Sequence, residues 1–194
     1  VAPTVTVNSQ TICNGSSTTL TATPSIGGGT YSWTPGGATT QTITVSPATT
    51  TTYTVTYTKS GCSGTGTGVV TVNPSPTVTV NSASICNGSS ATLTASPSIG
   101  GGTYTWVPGG ATTSAITVNP GTTTTYTVTY TKTGCSATGT GTITVNPVPT
   151  VTVNSQTICN GSSTTLTATP SIGGGTYSWT PGGATTATIT VNPA

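Results

Sequence analysis

Apolar and hydroxyl-bearing residues alternate along almost the whole chain. In "PTVTVN" Val5 and Val7 share one face, and "STTLTA" places Thr18, Leu20 and Ala22 together. "TYSW" pairs Tyr31 with Trp33, and "TITV" pairs Ile43 with Val45. "TYTVTYT" aligns Tyr53, Val55 and Tyr57, and "VVTVNP" aligns Val70 and Val72. A period of two with hydroxyls on the opposite face predicts half-buried antiparallel strands. Asn14-Gly15, Gly27-Gly28-Gly29, Pro35-Gly36-Gly37 and Gly61 predict the turns between them. No stretch carries a helical period. Six or seven short strands, with turns about every 8–12 residues, predict an all-β sandwich.

The pattern recurs. "PTVTVNS" starts at Pro3, Pro76 and Pro149, a period of 73 residues. Residues 3–75 and 76–148 are identical at 58 of 73 positions, and 3–48 and 149–194 at 44 of 46. The chain therefore divides into units 1–75, 76–148 and 149–194, each full unit long enough for one small domain with a modest core. That core is expected at Leu20, Trp33, Tyr53 and Val55, then at Leu93, Trp106, Tyr126 and Val128, then at Leu166 and Trp179. The third unit stops before the segments matching 51–73. We expect an excerpt of a continuing chain there, or strands supplied by another chain, since Trp179 and Leu166 would otherwise be costly to expose.

Composition narrows the function. Of 194 residues, 57 are Thr and 22 are Ser, with no Asp, Glu, His, Met or Phe. Lys59 and Lys132, at equivalent repeat positions, are the only charged side chains. Such a chain carries no signature of nucleic-acid or anionic-membrane binding. No apolar run approaches the roughly 20 residues of a membrane-spanning helix. No signal peptide opens the sequence, as expected of a mature segment or an excerpt. General acid–base chemistry needs a titratable group near working pH, and the serines and threonines have no base to activate them. The lysines follow a strand and are expected at a hairpin rather than as Schiff-base nucleophiles. Calcium sites need carboxylates, and zinc sites need CxxC pairs or His. The runs "GGG" at 27–29, 100–102 and 173–175 lack the lysine of a phosphate loop and fit a flexible connection. No enzyme activity and no cofactor are expected.

"TTLTA", then "YSW", then "TITVSPATTTTYTV" resembles the B, C, E and F strands of an immunoglobulin-like domain. Trp33 matches the buried strand-C tryptophan and Tyr53 the tyrosine corner. Ala22 and Val55 stand where antibody-type domains carry their inter-sheet disulfide, so that bridge is absent. The whole unit is similar to tandem Ig-like or PKD-like repeats of long bacterial surface and secreted proteins. The resemblance implies tandem immunoglobulin-like antiparallel β-sandwiches acting as stalk, spacer or filament units, extracellular or on the cell surface. The implied partners are further repeats of the same chain or copies of it, with no nucleic acid and no membrane insertion. Short proline junctions, "VNPSP" at 72–76 and "VNPVP" at 145–149, restrict the hinges.

Cysteine usage fits an oxidising compartment. Cys13 and Cys62 are 49 apart, as are Cys86 and Cys135, with Cys159 left over. Spacing suggests Cys13–Cys62 and Cys86–Cys135. The strand directions that the resemblance implies put Cys13 in the A–B turn at one end of the domain. They put Cys62 in the F–G turn at the other end, about 25–30 Å away, and a disulfide needs Cα atoms within roughly 7 Å. Domains stacked end to end would instead bring Cys13 to Cys135. Cys62, Cys86 and Cys159 would then find partners outside the chain. Intra-repeat pairing stays open for an altered strand order, such as a lost D strand that brings both turns to one end.

An uncharged array should stick to itself unless something hydrates it. The hydroxyls supply part of that, and covalent glycans would supply more, although high β-propensity alone also explains Thr-rich faces. Asn14, Asn87 and Asn160 lie in N-x-[ST] patterns within "ICNGSS", where Asn-Gly also signals a type I′ turn. Thr49, Thr50, Thr51, Thr52 and Thr122, Thr123, Thr124, Thr125 are candidates for O-linked sugar. Two roles are thus expected. One is a structural rod, disulfide-stapled and glycosylated. The other is a carbohydrate- or cell-surface-binding module with Tyr31 and Tyr57 on a face repeated for avidity.

Overall fold

The structure, a computed structural model, describes residues 2–193; the outer bounds of the first and third units, residues 1 and 194, lie outside them. The first unit holds seven strands: β1 (Val5–Val7), β2 (Gln10–Cys13), β3 (Thr18–Pro24), β4 (Thr30–Thr34), β5 (Thr42–Val45), β6 (Thr51–Lys59) and β7 (Cys62–Asn73). They form two sheets, β1-β3-β5 and β2-β7-β6-β4. The second unit repeats them as β8 (Val78–Val80), β9 (Ala83–Cys86), β10 (Ala91–Pro97), β11 (Thr103–Val107), β12 (Ala115–Val118), β13 (Thr124–Lys132) and β14 (Cys135–Asn146). Its sheets are β12-β10-β8 and β11-β13-β14-β9. These are the A-B-E and A′-G-F-C sheets of an immunoglobulin-like sandwich. The D strand is missing, and residues 35–41 link β4 to β5 without one.

The sandwich is not wholly antiparallel. β2 runs parallel to β7, with Gln10 opposite Val70 and Cys13 opposite Asn73. The chain reaches β2 by leaving the first sheet at Asn8-Ser9. Asn8 Oδ1 accepts from Thr21 N at 2.6 Å and Nδ2 donates to Thr19 O at 3.3 Å, fixing the crossing to β3. Ser9 Oγ accepts from Val69 N at 3.0 Å, fixing it to β7. Asn81 and Ser82 do the same in the second unit.

β7 starts earlier than the Val69–Val72 alternation suggests. Its glycine-rich half, "CSGTGTG", presses on β1. A Cβ at Gly66 would collide with Val5 O, and one at Gly139 would meet Val78 O at 2.7 Å. Backbone-to-backbone approach of this kind demands glycine. The first position gives way, because Ala137 replaces Gly64 in the second unit. The hairpin tip between Lys59 and Cys62 has φ of 49° at Ser60 and 79° at Gly61, the type I′ pattern. The Asn14-Gly15 turn, expected as type I′, has positive φ at Gly15 alone and a Ser16 N to Cys13 O bond of 2.9 Å. That is a type II pattern joining strands of different sheets.

Leu20, Trp33, Val55 and Tyr53 are buried in the first core and Leu93, Trp106, Val128 and Tyr126 in the second. Trp33 Nε1 donates to Thr40 O at 2.9 Å, so the indole is satisfied within the core. The glycine run 27–29 is pinned rather than flexible. Tyr57 Oη accepts from Gly29 N at 2.7 Å and donates to Ile26 O at 2.6 Å, while Lys59 Nζ donates to Gly28 O at 2.9 Å. The stabilising hydroxyl thus belongs to Tyr57, four residues beyond the tyrosine-corner position at Tyr53.

The third unit keeps only β15 (Val151–Val153), β16 (Thr164–Pro170) and β17 (Thr188–Val191) in one sheet. Segments matching β2 and β4 form no strand, since their partners would be counterparts of β7 and β6. Leu166 and Trp179, expected in the core, are only half-buried for the same reason. Val151 and Val153 are exposed beside an open groove of about 360 Å³ lined also by Ala168 and Trp179.

Gly66→Ala should lower stability by about 1–3 kcal/mol, because backbone must move. Gly27→Ala, with open space around its Cβ, should change it by less than about 0.5 kcal/mol. Urea unfolding of the two variants checks the contrast. Tyr57→Phe should cost about 1–2 kcal/mol and speed amide exchange at Gly29, a local effect that hydrogen-exchange mass spectrometry reads.

Candidate functional site: the junction between units

The first and second units meet where the end of β2 and the β2–β3 turn face the hairpin tip of β13–β14. Cys13 closes β2 and Cys135 opens β14, and the structure bonds them, Cα to Cα 5.7 Å across a sequence separation of 122. Cys135 is buried, at 2% exposure. Beside the bond Asn73, the last residue of β7, donates from Nδ2 to Thr133 O at 2.8 Å. Asn73 O accepts from Asn14 N at 2.8 Å, and Ser75 Oγ donates to Asn14 O at 2.8 Å. The two ends are thus joined by one covalent bond and one side-chain hydrogen bond. The linker is tied back to the turn that carries Cys13.

The loss of the D strand does not bring the two cysteines of one unit together. D would fill the stretch between β4 and β5, whereas Cys13 and Cys62 are placed by β2 and the β6–β7 hairpin. β2 ends level with Asn73, at the far end of β7 from Cys62. Cys62, Cys86 and Cys159 are unbonded and exposed. Cys86 lies opposite Asn146 as Cys13 lies opposite Asn73. The end of the second unit that leads into the third therefore repeats the first unit's half of the junction. There Asn146 Nδ2 turns to Ser84 Oγ at 2.8 Å instead of to a neighbour.

The candidate sugar positions separate by what their hydroxyls already do. Asn14, Asn87 and Asn160 are exposed. Thr51 Oγ1 donates to Thr49 O at 2.7 Å and Thr50 Oγ1 accepts from Val72 N at 3.1 Å, so both hold the turn before β6. Thr124 and Thr123 repeat those roles. Thr49, Thr52 and Thr122 are exposed and make no such bond among the described residues, while Thr125 pairs with Thr142 across β13 and β14 at 3.0 Å. Lys59 and Lys132 cap the glycine loops. Tyr57 is fully buried and Tyr31 half-buried against it, ring centroids 4.9 Å apart, so the pair offers no open aromatic platform. Among the described residues no three Cys, His, Asp or Glu side chains cluster, and no helix is long and apolar enough to cross a membrane.

The parallel β2–β7 pair, the type I′ tip and the fate of the glycine loop were invisible to a reading by alternation. The signals were present: "NS" at each sheet crossing and alternate glycines in "GCSGTGTG".

No protein-family model matches the chain, and no curated protein does. Solved structures similar to it are tandems of immunoglobulin domains. A chimeric titin Z1Z2-Z1Z2 tandem carrying a fibronectin GRGDS peptide is 20% identical, covering 72% of this chain and 96% of that one, with a TM-score of 0.35. A three-domain titin fragment, in a glutamate-to-alanine variant, is 13% identical over 97% of this chain and 87% of its own, with a TM-score of 0.46. The four N-terminal Ig domains of a Dscam1 isoform are 13% identical, with 72% of this chain spanning 44% of that one and a TM-score of 0.35. The strand order and pairing above carry the fold on their own: the chain is all-β, built of tandem immunoglobulin-like sandwiches.

Proposed function

We propose that this chain is a non-catalytic structural rod of tandem Ig-like units, extracellular or on a cell surface, stapled across its junctions by disulfides and hydrated by covalent sugar. The observation that carries the reading is the Cys13–Cys135 bond, which joins neighbouring units rather than closing one. A binding module needs one competent copy, whereas a rod gains from many alike, and the first two units differ at only 15 of 73 positions. By the same repeat logic Cys86 pairs with the hairpin cysteine of a following unit and Cys62 with the turn cysteine of a preceding one. Exposed Asn14 and Asn87, together with Thr49, Thr52 and Thr122, are the acceptors we favour for sugar. The extracellular assignment follows from the disulfide, which persists under oxidising conditions.

Non-reducing peptide mapping of native material tests this. The Cys13 peptide, told from that of Cys86 by Gln10 and Thr11 and from that of Cys159 by extending to Gln41, where the third unit has Ala187, should be linked to the Cys135 peptide, marked by Thr133 and Ala137. A link from Cys13 to the peptide with Ser60 and Gly64 would make the units independent beads. Added hexose-type mass should appear on peptides carrying Asn14 or Thr52; bare peptides throughout would remove the sugar coat.

A further inference from the structure

We propose that the Cys13–Cys135 bond is a mechanical shunt, carrying tension past the bodies of both joined units so that most of their residues bear no load. The inference follows from where the bond sits in the strand order. Tension entering the first unit passes along β1 and β2 to Cys13. It then crosses the disulfide to Cys135 and leaves along β14 toward the linker. The 121 residues between the two cysteines, a separation of 122 less one, form a closed covalent loop off that path. The loop holds β3 to β7 of the first unit and β8 to β13 of the second.

The strands left on the path suit it. β14 is the only load-bearing strand of the second unit, and it lies inside its sheet. Nine residue pairs tie it to β13, from Thr124–Ile143 to Lys132–Cys135, and four tie it to β9. A pull on β14 between Cys135 and Asn146 is borne by its own extended backbone, while the ladders on both sides hold it in the sheet without carrying the tension. Without the bond, tension would enter the second unit at β8, held by three pairs to β10, and leave by β14. The whole sandwich would then lie in series. Intra-repeat bonds would not act this way, because each would hide 48 residues and leave the linker and β7 of one unit in series with β8 of the next.

The shunt is reversible. A dithiol such as dithiothreitol gives two electrons and two protons to the S–S bond, leaving Cys13 and Cys135 as thiols while it closes to its own cyclic disulfide. This proposal rests on the rod reading for its use, though not for its geometry.

Single chains held by their two ends in a force spectrometer, first oxidised and then under dithiothreitol, test it. The bond is mapped on the same preparation. The oxidised chain should show no unfolding of the first or second unit, only release from the third unit and the β1–β2 segment. Reduction should add two unfolding events and about 420 Å of contour, at roughly 3.3–3.6 Å for each of 121 residues. Cys13→Ser should behave as reduced without dithiothreitol. The same two events in the oxidised chain, or a hidden length near 340 Å as two intra-repeat loops would give, overturns the shunt. A chain that passes this test yet scatters X-rays as a compact particle keeps the shunt and loses the rod.

Discussion

The ladder between β6 and β7 is what the sandwich hangs on. Both remaining strands of that sheet attach to it, β4 to β6 and β2 to β7, and β7 also presses its glycines against β1 of the other sheet. The third unit shows the dependence directly. Among its described residues the A-B-E sheet forms as before, with the same Asn154 bridge to Thr167 at 2.6 Å. Stretches identical to β2 and β4, residues 156–159 and 176–180, stay outside any sheet. The same amino acids are strand or not strand according to whether a neighbour offers a free row of N–H and C=O groups. Local propensity is subordinate here to pairing.

That subordination explains what the sequence does and does not reveal. Alternation in "TYTVTYT" and "TTLTA" exposes the core because one face of each strand is buried, and burial is what alternation records. β2 has a single buried residue, Ile12, and no period to find. The first half of β7 meets backbone rather than side chains, so it is written in glycine, which reads as a turn. Tyr57 shows a third limit. Alternation puts its ring in the core, yet nothing in the spacing says that its hydroxyl reaches back 28 and 31 residues to tie the Gly27–Gly29 loop. The junction was legible only through geometry, since strand direction decides which cysteines share an end.

Charge plays almost no part. The two lysine ammonium groups are spent on loop carbonyls, and no side chain among the described residues is buried polar. Specificity between strands rests instead on hydroxyl pairs such as Thr58 with Ser63 at 2.8 Å and Thr19 with Thr44 at 3.4 Å. Such pairs are neutral, and salt does not screen them as it screens ion pairs.

The missing carboxylates and imidazoles have a consequence for proton binding. Stability varies with pH only where folded and unfolded chains hold different numbers of protons. No side chain of this sequence titrates in the range where Asp, Glu and His do. From strong acid to neutrality the folded and unfolded forms therefore bind the same side-chain protons. The usual route of acid denaturation, in which carboxylates paired in the fold are protonated and buried imidazoles become charged, is closed to this fold.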